Sequence, residues 1–375
     1  MGIYNILYLH EAAQLGGAEN SLFNLLKKID RTVFSPIFAC PGKGLFPDKL
    51  TKLGVKVYPV TFFPLRKIIG VRSVINEIRR IIRDERIDLI HSNSIRTHLY
   101  AAIAGKMEKK PVIWHERNLI DKELIDPDSL FSFLPDKIIC NSRAIAGRFL
   151  KKDKLPEKIS VIHNGVDIVE FNPLVTGGEI RKEFKIKPER SVIGIVSRFN
   201  RCKGHETFFR AAKIIANNGS DCVFLVGGSA VFEEDRDREK YLQDMVKCLG
   251  IDDRVIFTGF MEDMPKIYAA MDMLVLASEA ESCGRVILEA MASGKPVIGT
   301  DTGGTPEIVL NGVTGLLISP KDPSVMAKAM ADLLKDQSLA RRMGKAGRER
   351  VERLFNIEGN VARIQNTYLK LLEER

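Results

Sequence analysis

The stretch "SVIGIVSRFNRCKGHETFFRAAKIIAN", residues 191–217, contains the pattern from which the fold follows. It begins with the apolar run "SVIGIVS", passes through a polar turn, and continues with apolar residues at helical spacing. A buried strand followed by an amphipathic helix is typical of a βαβ unit, because two parallel strands need such a crossover between them. The segment therefore predicts a parallel α/β sheet.

The same alternation of strands and helices extends in both directions from this segment. Apolar runs such as "YNILYLH" and "DMLVLAS" stand between amphipathic stretches in both halves of the chain, which indicates parallel sheets with crossover helices. Because 375 residues exceed one ordinary core, we predict two α/β domains, residues 1–168 and 169–355. Residues 356–375 are predicted to be a helix that returns to the first domain.

Composition excludes several classes of protein. No apolar run reaches the roughly 18–20 residues that a membrane span needs, and the first residues do not have the pattern of a signal peptide. The six cysteines contain no C-x-x-C pair, so neither a disulfide framework nor a zinc site is expected. The net charge of +9 fits anionic ligands or an anionic membrane, but the basic residues are not interleaved with aromatic ones, so no nucleic acid is expected. We expect a cytoplasmic protein.

A second segment, "ESCGRVILEAMASGKPVI" (residues 281–298), places two glutamates around the start of a predicted helix. Glu281 follows a buried strand, and Glu289 lies about one turn inside the helix. The free N–H groups of a first helical turn attract anions, and a carboxylate suits the two hydroxyls of a ribose. The alternative is that Glu281 only stabilises the helix N-terminus and that Glu289 lies on the surface. The N–H donors would be those of Cys283, Gly284, Arg285 and Val286.

The polar turn of the first segment carries two cations, Arg198 and Lys203, followed by Gly204. A planar guanidinium and a mobile ammonium at the end of a strand suit a diphosphate, and a glycine allows a backbone to approach closely. The alternative is that both are solvated surface cations.

These motifs, in this order, resemble those of the retaining glycosyltransferases of family 4. "SRFNRCKG" resembles the R-x4-K-G element of that family, and Glu281 to Glu289 resembles its E-x7-E motif. The similarity continues in "DTGGTPEIV", "NGVTGLLI", "LGGAEN", "CPGKG" and "HNGVD", and so covers nearly the whole chain. It implies the GT-B fold, in which two Rossmann-like, doubly wound parallel-sheet domains face each other across a cleft.

The resemblance also implies roles for individual residues of the second half. Arg198 and Lys203 would hold the diphosphate of the donor, Glu289 its ribose, and Glu281 the transferred sugar. The further donor-side positions that it implies are Ser282, Cys283, Gly284, Arg285, Val286, Gly228 and Phe260. Cys283 stands where the family often has Phe, and Arg285 where it usually has an apolar residue, so we expect both to reshape the sugar pocket.

In the first half the resemblance places Gly16 and Gly17 in a loop over the phosphates and the acceptor. The alternative for these glycines is a tight turn that needs a positive φ. His115 would lie near the reacting sugar, and Asn164 would reach the site from the connection between the domains. His91 and Asn93, at the end of the preceding strand, are candidates on the acceptor side.

Together these observations predict a retaining glycosyltransferase that uses a nucleotide-diphosphate sugar, with UDP favoured by the family. The resemblance implies a glycan or lipid-linked acceptor, in cell-surface polysaccharide or glycolipid synthesis. No cofactor is expected. No D-x-D stands at a strand end of the donor half, so no metal is expected either.

Two other functions stay open. One is a glycoside hydrolase or phosphorylase that uses Glu281 and Glu289 as its pair of carboxylates. The other is a subunit that binds a nucleotide-sugar without turnover.

Residues 71–87 form a basic amphipathic pattern. Such a helix is able to lie on an anionic bilayer, which would place the protein at the inner face of a membrane. The alternative is an ordinary helix that covers the sheet.

Overall fold

The computed structural model describes residues 2–64, 67–120, 126–150, 156–228 and 233–374. Contacts divide the chain into two compact units: unit 1 comprises residues 1–165 and 357–375, and unit 2 comprises residues 166–356. The division lies three residues before the boundary that we predicted at 168, and the last helix packs within unit 1.

The described residues of unit 1 form one sheet of seven parallel strands in the order β3-β2-β1-β4-β5-β6-β7. The order reverses between β1 and β4, and at such a switch point a crevice for ligands opens beyond the carboxyl ends of the strands. The strands are β1 (Tyr4–Leu9), β2 (Phe34–Cys40), β3 (Lys56–Pro59), β4 (Leu89–Ser92), β5 (Val112–Glu116), β6 (Lys137–Cys140) and β7 (Ile159–Val161).

Helices cover this sheet and complete two apolar clusters. One cluster packs α3 with α4, and the other packs α1 with the last helix, α15. The helices are α1 (Gly17–Lys28), α2 (Leu45–Lys52), α3 (Ile68–Asp84), α4 (Ile95–Glu108), α5 (Pro127–Leu130), α6 (Arg143–Leu150) and α15 (Ile357–Glu373).

The basic helix predicted at residues 71–87 is α3. Its apolar side chains, among them Val74, Ile78 and Ile81, are buried in the core of unit 1, whereas Arg72 and Arg80 are exposed. The helix is therefore one that covers the sheet. None of the described helices is both long and apolar enough to cross a membrane.

The described residues of unit 2 form a sheet of six parallel strands in the order β10-β9-β8-β11-β12-β13, with a switch point between β8 and β11. The strands are β8 (Ser191–Val196), β9 (Cys222–Gly227), β10 (Val255–Gly259), β11 (Met273–Leu276), β12 (Val297–Thr300) and β13 (Gly315–Ile318). The helices are α7 (Gly178–Glu183), α8 (His205–Asn217), α9 (Glu233–Cys248), α10 (Met264–Ala270), α11 (Arg285–Ala292), α12 (Thr305–Ile308), α13 (Pro323–Lys335) and α14 (Gln337–Leu354). The predicted fold class, two doubly wound parallel α/β domains, is confirmed.

A buried cluster of charged and titratable groups lies beside the core of unit 1. Glu116, at the end of β5, is 2.9 Å from a guanidinium nitrogen of Arg148 and 3.1 Å from Nε2 of His98. Asp128 is also buried. Burial, and then the negative charge of Glu116, raise the pKa of Asp128 to about 9. Burial alone would raise the pKa of Glu116, but the charges of His98 and Arg148 lower it to about 2. The cluster therefore holds Glu116 as a carboxylate and Asp128 as a neutral acid.

Replacing Asp128 by asparagine is expected to change how stability depends on pH. An unfolded aspartate loses its proton near pH 3.9, whereas folded Asp128 keeps it to about pH 9. The proton that Asp128 keeps therefore contributes to the stability of the folded state. This contribution is complete below about pH 3.9, and it falls by up to about 1.4 kcal/mol per pH unit as the pH rises toward 9. An asparagine at this position does not ionise. The free energy of unfolding of Asp128→Asn should therefore rise relative to that of the parent as the pH increases from 5 to 8. Chemical denaturation followed by fluorescence of the single Trp114, which lies in unit 1, measures the difference.

The matched control is Asp252→Asn, since Asp252 is exposed. Its curve should run parallel to that of the parent. Parallel curves for Asp128→Asn as well would show that Asp128 is ionised in the folded protein.

Candidate active site

Three loops at the carboxyl edge of the unit 2 sheet are tied together by their backbones. The N–H of Glu279, after β11, donates to the carbonyl of Cys202, after β8, at 2.8 Å. The N–H of Gly304, after β12, donates to the carbonyl of Glu281 at 2.8 Å. These loops surround the switch point between β8 and β11, and in parallel α/β sheets ligands bind at such points.

Gly204 permits the closest approach between two of these loops. Its φ is +71°, and a Cβ atom there would lie 2.0 Å from the carbonyl oxygen of Ala277 at the end of β11. Any other residue would therefore push the loops apart. The close approach places Nζ of Lys203 2.8 Å from Oε2 of Glu281, and this is the structural reason for a glycine after the lysine.

Lys203 and Glu281 form an ion pair with little exposure. Their side chains are 22% and 10% exposed, and Ser278 donates a further hydrogen bond to Glu281 at 3.3 Å. Glu281 is therefore held by Lys203 rather than by the N-terminus of α11 alone. From the sequence we predicted that both residues bind a ligand, but we did not predict that they form an ion pair with each other.

The helix N-terminus predicted near Gly284 is present, with Gly284 as the N-cap of α11 and no side chain capping it. The first N–H groups of a helix have no acceptor within the helix, so those of Arg285 and Val286 remain available to an anion. Ser282, before the helix, is partly exposed. The side chain of Cys283 packs in the apolar core of unit 2.

Glu289 is buried, with 3% of its surface exposed, so the alternative that placed it on the surface is wrong. Its Oε2 accepts a hydrogen bond from the Tyr268 hydroxyl at 2.7 Å. Its Oε1 is 2.6 Å from a guanidinium nitrogen of Arg285, four residues earlier. Burial and the neighbouring carboxylate raise the pKa of Tyr268 well above its usual range, so Tyr268 stays a donor. Sequence reasoning missed Tyr268, since a tyrosine on a helix whose neighbours are buried carries no separate signal.

The other predicted residues of unit 2 follow adjacent strands at the same edge. Arg198 follows β8 and is exposed. Gly228 follows β9 with a φ of +143°, and a Cβ atom there would lie 2.1 Å from the Ser197 carbonyl oxygen. Phe260 follows β10 and is 55% exposed. The order β10-β9-β8-β11 thus gathers the predicted donor-side residues at one edge.

In unit 1, Gly16 and Gly17 begin α1 at the carboxyl end of β1. Gly16 has a φ of −128°, so the interpretation as a turn with positive φ is wrong. Its N–H donates to Oε2 of Glu19 at 2.8 Å, and a Cβ atom would lie 2.7 Å from that oxygen. The glycine therefore makes room for the carboxylate, whose other oxygen is 2.7 Å from Nε2 of His10.

His91 and His115, the last residues but one of β4 and β5, stack with ring centroids 5.2 Å apart. Nε2 of His91 is 3.1 Å from Nδ1 of His115. Arg117 also approaches Nδ1 of His115, at 3.4 Å, and donates to the side-chain oxygen of Asn164 at 2.8 Å. Burial, and then the positive charge of Arg117, hold the pKa of both histidines well below its usual range. Both rings are therefore neutral, and Asn164 joins their network through Arg117, which sequence reasoning missed.

Asn93 follows β4 and is buried. Neither its amide nitrogen nor its oxygen has a hydrogen-bond partner among the described residues. It is thus placed as an acceptor-side candidate would be.

One group of side chains has the composition of a metal site. The ligand atoms of His98, Glu116 and Asp128 lie within 4.8 Å of one another. Arg148 already supplies a positive charge to this group, and the proton on Asp128 removes one negative charge.

Two family descriptions match the chain. "Glycosyl transferases group 1" matches residues 178–350, and "Glycosyltransferase Family 4" matches residues 15–170. Together they cover most of both units.

Known proteins resemble the chain in sequence and in structure. It is 33% identical over 217 residues to N-acetyl-alpha-D-glucosaminyl L-malate synthase of Bacillus anthracis, which is 58% of this chain and 55% of that protein. It is 28% identical over 318 residues to UDP-Gal:alpha-D-GlcNAc-diphosphoundecaprenol alpha-1,3-galactosyltransferase of Escherichia coli, 80% of each chain. The crystal structure of Anabaena Alr3699/HepE in complex with UDP and glucose has a TM-score of 0.85 and 25% identity, over 97% of this chain and 98% of that chain.

The sequence matches are partial for some relatives. The chain spans 55% of the Bacillus anthracis protein, and 62% of the putative glycosyltransferase YtcC of Bacillus subtilis, to which it is 30% identical over 260 residues. The structural likeness extends over nearly the whole chain and confirms the predicted GT-B fold class. The chain belongs to glycosyltransferase family 4, the group 1 glycosyltransferases, as its motifs predicted.

Proposed function

We propose that the chain is a retaining glycosyltransferase that transfers a sugar from a UDP-sugar to a glycan or lipid-linked acceptor. The observation that carries the proposal is the edge of unit 2. There, Lys203 pairs with the buried Glu281 beside the switch point of the sheet, and the helix that follows has an uncapped N-terminus and carries the buried Glu289. Cations and free N–H groups suit a diphosphate, and carboxylates suit sugar hydroxyls.

The charge of the leaving diphosphate would be balanced by Lys203, Arg198 and the N-terminus of α11. The ion pair with Glu281 holds the Lys203 ammonium in place before the ligand arrives. Preorganised donors of this kind stabilise charge that develops in a transition state without a cost of reorganisation at that moment. Because these groups supply the positive charge, we propose that the reaction needs no metal.

The ribose of the donor would bind to Glu289. Tyr268 and Arg285 each occupy one of its carboxylate oxygens, which orients the group. Each oxygen has a second lone pair for a ribose hydroxyl. Gly228 and Phe260, which follow the neighbouring strands β9 and β10, would lie next to the base and the ribose.

The choice of UDP rests on similar proteins. The Anabaena structure contains UDP and glucose, and the Escherichia coli relative is named for UDP-Gal. That relative is also named for a diphosphoundecaprenol acceptor. A Staphylococcus aureus relative, 25% identical over 328 residues, is a capsular polysaccharide biosynthesis glycosyltransferase. These names support a lipid-linked or glycan acceptor in surface polysaccharide synthesis.

Contact with an anionic membrane would involve unit 1. The apolar side of α3 is buried, so this helix would not insert into a bilayer. Its exposed Arg72, Arg80 and Arg83 would instead contribute electrostatic attraction to anionic lipids.

The hydrolase alternative is less well supported. A retaining hydrolase places an acid and a nucleophile on either side of one glycosidic bond. Here each carboxylate is engaged by its own cation, Glu281 by Lys203 and Glu289 by Arg285. Neither carboxylate is therefore placed as the unpaired acid or nucleophile of a hydrolase. We propose instead that the acceptor attacks on the face from which the diphosphate leaves, and that this gives retention.

One prediction of this proposal concerns nucleotide binding. UDP, but not GDP, ADP or CMP, should raise the thermal unfolding temperature of the chain by several degrees, since a ligand at a hundred times its Kd adds about 2.7 kcal/mol. Glu289→Gln should lose most of this shift because it weakens the binding of the ribose. Glu279→Gln is the matched control, because Glu279 lies in the same region but pairs with Lys321. An equal shift in Glu289→Gln would refute the ribose site, and no shift with any nucleotide would refute the proposed donor.

Another prediction of the proposal concerns turnover. Lys203→Ala should lower kcat for release of UDP from the UDP-sugar, in the presence of an acceptor, by about 10²–10³. Arg201→Ala, an exposed cation in the same loop, should change it less than about threefold. A loss below tenfold in Lys203→Ala would show that its charge does not act on the leaving group. NMR of the product should show the anomeric configuration of the donor, and the opposite configuration would refute retention.

A further inference from the structure

Arg285 carries a guanidinium at the start of α11, beside the buried Glu289. It is the first residue of the helix, and its Nη2 lies 2.6 Å from Oε1 of Glu289, four residues further along. The side chain of Glu289 is 4% exposed, whereas that of Arg285 is 19% exposed. Arg285 therefore pairs with a buried group and still reaches the surface, at the helix end where the backbone N–H groups are free.

The helix itself gains nothing from a cation at this position. The N-terminus of a helix carries a partial positive charge, so a cation in the first turn is repelled. An ion pair between residues four apart is also weaker when the cation comes first, as it does here. Two other roles account for Arg285. One is to neutralise Glu289, whose burial without a partner would be costly, and the other is to bind a ligand as well.

Arg285 has more donor groups than Glu289 is able to accept from it. A guanidinium carries five N–H donors in one plane, and one carboxylate oxygen has two lone pairs. The second oxygen of Glu289 already accepts from the Tyr268 hydroxyl at 2.7 Å. A guanidinium that uses one edge on a carboxylate offers its other edge to a phosphate, whose oxygens match the spacing of two N–H groups. The donors that Glu289 leaves over therefore suit a phosphate.

The position of Arg285 also differs from that of the other cations at this edge. Lys203 comes from the loop after β8 and pairs with Glu281 at 2.8 Å, and Arg198 is exposed. Arg285 lies on α11, together with the free N–H groups and Glu289. The helix therefore fixes the place of this cation relative to both of the groups that the donor would contact.

We propose that the Arg285 side chain binds the diphosphate of the donor while it stays paired with Glu289. One guanidinium then connects the carboxylate that takes the ribose with the phosphates of the same nucleotide. The nucleotide rests on the proposed function, and Arg285 adds a side chain of α11 to its diphosphate site. A contact with phosphate depends on the phosphates and not on the ribose, and this separates the two roles of Arg285.

The test compares the Kd of UDP with that of uridine, which has the base and the ribose but no phosphate. Arg285→Leu should raise the Kd of UDP at least ten times more than that of uridine. Leucine is chosen because the family usually has an apolar residue at this position. Glu289→Gln should raise both Kd values by similar factors, because both ligands contain the ribose. Isothermal titration of the full chain measures UDP, and uridine is measured by its displacement of UDP.

A second comparison removes the ion pair. In the Glu289→Gln background Arg285→Leu leaves no buried carboxylate without a cation, so the double variant avoids that cause of misfolding. If Arg285 binds phosphate, the added Arg285→Leu should still raise the Kd of UDP about tenfold. If Arg285 acts only through Glu289, the added substitution should change this Kd less than about threefold. ³¹P NMR of UDP measures the weak binding of these variants.

Arg201→Leu is the matched control, because it removes an exposed cation from the loop after β8. It should change the Kd of UDP less than about threefold. Equal losses for UDP and uridine in Arg285→Leu, or no further loss in the double variant, would overturn the inference and leave the proposed donor in place. If the parent itself bound no UDP, the proposed donor would fail together with the inference.

Discussion

The contact between Gly204 and the Ala277 carbonyl is the constraint on which the unit 2 site depends. A side chain at position 204 would occupy the space of that oxygen, so only glycine lets the loop after β8 lie on the end of β11. This contact aligns the backbone bond from Glu279 to Cys202 and places Lys203 beside Glu281. A cation and a carboxylate from loops far apart in sequence are thereby set before any ligand binds, and such preorganisation is what stabilises developing charge.

Unit 1 uses a comparable arrangement at its own switch point. The missing side chain of Gly16 leaves space for the carboxylate of Glu19, which also contacts His10. On the neighbouring strands, buried neutral histidines are connected to Tyr368 on the last helix. The apolar packing of α15 in unit 1 is what brings that hydroxyl to the strand ends. In both units, therefore, the ends of the strands carry polar groups whose partners come from other elements.

The two units balance the charges of their buried carboxylates in different ways. In unit 2 the carboxylates face cations, Lys203 and Arg285, and two of these groups are partly exposed at the edge of the sheet. In unit 1, Glu116 keeps its charge against Arg148 while Asp128 keeps a proton. A buried charge is tolerated only when it is paired or neutralised. The first arrangement suits an incoming anion, and the second suits a fixed core.

The sequence by itself determined the fold class, because alternating strand and helix patterns are local and parallel strands need crossover helices. It also placed Arg198, Lys203 and Glu281 after strand ends and Glu289 in the helix that follows, since their motifs come after apolar runs. Only the tertiary structure decided which side chains meet. Tyr268 with Glu289, Arg117 with Asn164 and Tyr368 with His91 join residues whose separation along the chain carries no pattern. Their contacts arise from the strand order and from helix packing, which bring together groups that local periodicity does not relate.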